Sequence, residues 1–182
     1  SVISLRKIEE YSQMVAQTVR SYNLMAKTLH WAFIGVFAYG VINQIDEVEE
    51  LANSKLLAEE ILFAVVFLAL LFFRFMYMRF AKADMPPLDM PKHLILLSRI
   101  VHLGMYIALA LIAITGLMIG GLYYFGMRDG LMLETILLSH EIFFWTSVNL
   151  MGLHIIGALY HRLRADGVWN SMVPILKEKT DI

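Results

Sequence analysis

Four stretches of this chain are apolar for about twenty residues or more, and no other feature limits its fold as strongly. A hydrocarbon core about 30 Å thick needs roughly 20 consecutive apolar residues if a helix is to cross it. The stretches run from about Met25 to Ile45, Leu56 to Met78, Leu94 to Leu122, and Leu137 to Tyr160. Backbone inside a bilayer must satisfy its own hydrogen bonds, and none of the four shows the dyad alternation or turn spacing of barrel strands. The expected fold is therefore all-α, an integral membrane four-helix bundle. With 59% of its 182 residues hydrophobic and 17% charged, the composition is that of a lipid-embedded chain.

Lysine and arginine give the expected orientation. Thirteen of the fifteen fall in the N-terminal segment, around the second connection, or in the C-terminal tail, and only Lys55 and Arg128 fall in the first and third connections. By the positive-inside rule both termini are expected on the inner side, which is the cytoplasm if the membrane is a bacterial inner membrane. Residues 1–24 lack the unbroken apolar core of a signal peptide. Val2, Leu5, Ile8, Met14, Val15 and Val19 instead recur at three- and four-residue steps, as in an amphipathic interfacial helix. The expected organisation is this helix (1–24), a four-helix domain (25–163) and a cytoplasmic tail (164–182). A net charge of −1 offers no basic excess for nucleic acid, so lipid is the expected surrounding. The absence of cysteine excludes thiolate metal sites and c-type haem attachment, leaving His, Met and carboxylates as donors.

Ionisable residues within an apolar span are costly and mark functional positions. The stretch "SHEIFFWTSVNLMGLHIIGALYH" carries three histidines on one helix. At 100° and 1.5 Å per residue, the 14 steps from His140 to His154 return to within about 40° of one face over about 21 Å, and His161 continues the stripe. The first helix runs outward and the fourth inward, so His30 and His154 lie at matching depth near the cytoplasmic side. Two neutral imidazoles facing each other, with no thiolate and no third ligand, suit haem iron better than zinc. His102, on the inner half of the third helix with Arg99 one turn before it, either rivals one of that pair as a ligand, lines the site with His161, or packs as a hydrogen-bonded core histidine.

The segments "TLHWAFIGVFAYG", "SRIVHLGMYIALALIAITGLMIGG" and "SHEIFFWTSVNLMGLHIIGALYHRL" resemble the bacterial cytochrome b561 family over roughly residues 24 to 165. These are four-helix membrane cytochromes that exchange electrons with quinone, and one member is a superoxide oxidase. The resemblance implies an inner haem b on His30 and His154. It implies an outer haem on His140 and a second-helix histidine, and quinone (ubiquinone or menaquinone) near the inner haem beside His161. Arg99, with Lys27, Arg162 and Arg164, becomes a candidate partner for haem propionates or a positive-inside anchor.

The pattern departs at helix two, because no histidine occurs between His30 and His93 and Glu60 stands about where the family has its ligand. One haem is firmly expected. For the second position three arrangements fit: no haem, with His140 paired to Glu59 or Glu60; haem on His140 alone with an open coordination position; or a sixth ligand from a carboxylate or Met118. The expected function is haem-based electron exchange with quinone at the cytoplasmic face, as in a quinone-linked oxidoreductase, with an electron-donor protein as a further partner. The alternative is a haem-binding anchor subunit of a larger respiratory or dehydrogenase complex, for which the acidic loop "DEVEELANSKLLAEE" would be a docking surface.

Overall fold

The computed structural model describes residues 22–45, 47–80, 91–173 and 175–176. Among these there is no strand, and four helices are long and apolar enough to cross a membrane: α1 (Leu24–Ile42), α2 (Ser54–Phe80), α3 (Lys92–Tyr124) and α4 (Leu131–Arg164). A 3-10 turn (Val48–Ala52) joins α1 to α2, and a short α5 (Val168–Met172) follows α4. The proposed N-terminal amphipathic helix, and most of the proline-bearing central connection, lie outside the described residues.

Local chemistry sets the helix ends. Asn23 caps α1 by accepting from the Ala26 N–H at 2.9 Å, and its side chain exchanges hydrogen bonds with the Tyr77 hydroxyl of α2. α4 begins six residues before the apolar stretch suggested. "LMLETI" is rich in good helix formers, and Gly130, at φ 96°, makes the turn that a side chain would resist. α4 ends where Ala165 and Gly167 take left-handed conformations.

Contacts between helices give the topology. Gly40 meets Phe63 and His30 meets Arg74, so α1 and α2 are antiparallel. Gly120 faces Ile61 while Phe75 meets Tyr106, and Gly104 faces Leu150 while Gly116 faces His140. α2, α3 and α4 therefore alternate in direction as well. The described chain has a terminal end, where the Tyr22 and Met172 neighbourhoods meet, and an opposite loop end. Small residues on α3 set the close approach: Cβ atoms on Gly104 and Gly116 would stand 3.2 Å from Leu150 and 3.5 Å from His140.

Large apolar side chains such as Leu62, Phe72, Leu97, Ile107, Ile155 and Ile156 are exposed on the outside. Against lipid tails this surface costs nothing, so helix contacts need only pack well. The firm packing runs α1 on α2, α2 on α3 and α3 on α4, leaving α1 and α4 comparatively apart. Phe33, Phe37, Phe63 and Phe67 form an aromatic layer across the middle, with ring centres 5.0 to 6.4 Å apart. On its loop side lies a cavity of about 740 Å³ bordered by all four helices. Val48 and Leu51 of the 3-10 turn line its end, and Leu51 is buried against Leu57, Ile119 and Leu122. Part of the acidic connection thus folds back onto the bundle.

Candidate functional site

On the terminal side of the aromatic layer three imidazoles converge. The rings of His30 (α1) and His154 (α4) have centres 6.3 Å apart, confirming the depth match expected from the sequence. His102 (α3) stands 4.8 Å from His154. With metal–nitrogen bonds of about 2 Å, and each ring centre about 1 Å behind its nitrogen, two imidazoles on opposite sides of one metal have centres about 6 Å apart. His30 and His154 meet that spacing, whereas His102 is too close to His154 for the two to lie on opposite sides of one iron. Among the described residues no group of three or more His, Asp or Glu side chains is placed to hold a bare metal ion. A metal here must bring its own remaining ligands, as haem iron does.

Arg74 of α2, one of the cations that the positive-inside count assigns to the flanks of the second connection, enters the same cluster. Its Nη2 donates to His30 Nδ1 at 2.8 Å, and its guanidinium lies 5.7 Å from the ring centres of both Phe33 and Tyr106. Its Nε is buried with no hydrogen-bond partner among the described residues. A guanidinium can only donate, so His30 Nδ1 accepts and the ring proton sits on Nε2. That tautomer is the reverse of what Nε2 ligation needs. Occupation of the site by an iron therefore entails releasing His30 from Arg74, and the released cation, with one unpaired donor already, is matched to an anionic group such as a haem propionate. The donor set fits haem b on this side.

On the loop side His140 lines the cavity. Its Nδ1 is 2.9 Å from Thr115 Oγ1, and the same hydroxyl lies 2.7 Å from the Leu111 carbonyl and 3.0 Å from that of Ile112. Glu60, from α2, lines another wall of the cavity. The His140–glutamate pair is not formed: His140 bonds to Thr115, and Glu59 is exposed and pairs with Lys55 at 3.8 Å. Met118 is 45% exposed and is not among the described residues that line the cavity.

The remaining candidates divide. His161 Nδ1 is 2.7 Å from Asp166 Oδ2, just beyond the end of α4. His102 Nδ1 donates to the Ser98 carbonyl at 2.6 Å. Arg99 is exposed and makes no hydrogen bond or ion pair among the described residues, so the structure brings Arg74 and not Arg99 to the histidines. Arg162 instead lies over the Trp169 ring at 5.1 Å. The sequence did carry a signal for Arg74: it is a cation four residues inside the end of an apolar span, among aromatic residues in "FFRFMYM".

Comparison with known proteins gives one family match: the profile described as prokaryotic cytochrome b561 matches residues 21–174. No curated protein and no solved structure matches the chain.

Proposed function

The chain belongs to the prokaryotic cytochrome b561 family, and from that premise we propose that it holds haem b between His30 and His154 and exchanges electrons with a quinone at its terminal end. The observation that carries this reading is the 6.3 Å separation of the two rings, on facing helices at one depth. Haem b, when bound, supplies one-electron chemistry; the protein supplies ligation, burial and the surrounding charge. His30 and His154 would hold the haem iron, Arg74 would pair with a propionate, and the phenylalanine layer walls the site from the loop-side cavity.

Reduction of a quinone consumes protons as well as electrons, so a proton-carrying group must stand at the quinone side. His161 has that place. Its Nδ1 donates to Asp166 Oδ2, which fixes the ring and leaves Nε2 as the atom that passes or accepts a proton. The charge pattern of the connections supports a cytoplasmic position for this end, in a bacterial inner membrane. The quinone is of the ubiquinone or menaquinone class, and the electron donor is a separate partner.

Two measurements test the reading. Haem quantitation of the purified protein should show loss of the inner haem in both His30→Ala and His154→Ala. Stopped-flow mixing of the dithionite-reduced, desalted protein with a short-tailed quinone should reoxidise the cytochrome, and more slowly in Asp166→Asn. A reduced cytochrome that persists in excess quinone would refute the quinone assignment.

A further inference from the structure

The loop-side cavity is not used by the His30–His154 site, and its walls are chemically uneven. At about 740 Å³ it has the size of a cofactor site. Among the described residues, His140 is the one histidine lining it, and no methionine lines it. The oxygen donors come from Glu60, Glu141 and Gln44. The α3 wall is formed by Ile112, Ala113, Gly116, Ile119 and Gly120, and its glycines let Ile61 and His140 pack close to the helix.

The hydrogen bonds of Thr115 decide the state of His140. The hydroxyl has one proton, and two carbonyl oxygens that can only accept, Leu111 and Ile112, lie 2.7 and 3.0 Å from it. The proton goes to them, so at the 2.9 Å contact the His140 Nδ1–H donates to the hydroxyl oxygen. Nε2 is left with a bare lone pair and no hydrogen bond among the described residues. An imidazole whose far nitrogen is tied to an acceptor, and whose near nitrogen is unprotonated, is arranged as a metal ligand. A merely structural histidine would need Thr115 but neither the bare Nε2 nor the space beside it. No cluster of three protein donors completes a bare-ion site, so the metal must carry an equatorial ligand set of its own.

We infer that the loop-side cavity takes a second haem whose iron is bound by His140 Nε2 alone among nitrogen and sulfur donors, leaving the other axial position to an uncharged diatomic ligand on the Glu60 side. The inference rests on the reading of the chain as a haem protein. Besides His140, the donors among the described lining side chains are the hard oxygens of Glu60, Glu141 and Gln44, which bind ferrous iron weakly against a soft ligand such as carbon monoxide. Glu60 is then the polar side chain that a bound diatomic meets, and the polarity of that side governs which ligand is held. The inner haem, with two imidazoles, has no such vacancy.

The test uses the full chain, expressed with haem supplementation and purified in mild detergent. A pyridine haemochrome ratio near two haems per protein is expected, with a carbon monoxide difference spectrum, after dithionite reduction, from one haem of the two. His140→Ala should lower the ratio to near one and abolish the carbon monoxide band, while His154→Ala should keep that band. Glu60→Gln should retain carbon monoxide but shift its C–O stretch in the infrared. A ratio near one that His140→Ala leaves unchanged would overturn this inference while the His30–His154 site stands; a ratio of zero would overturn both. Two haems with no carbon monoxide binding, a band lost in His154→Ala but kept in His140→Ala, or binding that appears first in Glu60→Gln would each overturn the open position. An unshifted stretch in Glu60→Gln would remove Glu60 from the ligand side. Should His140→Ala fail to accumulate, the wild-type stoichiometry and carbon monoxide titration decide the matter alone.

Discussion

Replacing Arg74 by methionine, which keeps the side chain's length and removes its charge, separates a structural role from a haem-binding one. Without haem, the cation has one hydrogen bond, to His30 at 2.8 Å, and two aromatic faces at 5.7 Å, while its Nε is unpaired. A charge-assisted hydrogen bond contributes about 1.5–3 kcal/mol, and each cation–π contact about 0.5–2 kcal/mol. Against these stands a desolvation penalty of several kcal/mol for a buried ion. The terms nearly cancel, so Arg74→Met should leave the haem-free protein within about 1 kcal/mol of wild type, since replacing a buried ion by an apolar side chain is often neutral. With haem bound, wild type exchanges its single bond to His30 for a two-pronged pair with a propionate; the variant lacks that net gain of one charge-assisted bond, and at 1.36 kcal/mol per tenfold its affinity should fall about 10- to 150-fold. The assay is a Soret titration of the haem-free protein in detergent, repeated with haem dimethyl ester, whose propionates are blocked. The ester offers no anion to the released Arg74, so with it the variant should bind at least as tightly as wild type. Equal affinity for free haem, with a large fall in the stability of the haem-free protein, would show that Arg74 serves the fold alone.

Three further outcomes follow from the same geometry. His102→Ala should keep its haem content, because at 4.8 Å from His154 it cannot lie across one iron from that residue; loss of the inner haem would contradict this. In Gly120→Ala the new Cβ would lie 2.8 Å from Ile61 Cγ1, so the variant should be destabilised by about 1–3 kcal/mol, visible as an earlier thermal unfolding in detergent. Gly35→Ala meets nothing within 4 Å and is the matched control. Asp166→Asn should slow quinone-driven reoxidation while leaving haem content and the Soret spectrum unchanged, since Asp166 touches His161 and not the ligand pair.

The bundle was legible because the length of each apolar stretch is set by the bilayer, a constraint that acts residue by residue. Counting depth from the helix ends was enough to pair His30 with His154, since two antiparallel helices of known start leave little freedom along the membrane normal. Rotation about each helix axis was less legible. Arg99 and Arg74 are both cations inside apolar spans, yet one faces outward and the other reaches the histidines. That choice depends on how α2 and α3 pack, through contacts such as Ile61 on Gly120 and Phe75 on Tyr106. The hydrogen bond from His140 to Thr115 was hidden for the same reason, because the partners are 25 residues apart and belong to different helices. Asp166 escaped notice because it lies beyond the end of α4, where a left-handed turn brings it back to His161.

The central claim is that His30 and His154 together ligate one iron, and low-temperature electron paramagnetic resonance of the oxidised protein tests it most directly. Wild type should show the low-spin signal of a bis-imidazole ferric haem. His102→Ala should keep that signal, and His30→Ala and His154→Ala should each lose it, through loss of the haem or conversion to high spin. A low-spin signal that survives in His30→Ala and disappears in His102→Ala would contradict the account and move the ligand from α1 to α3.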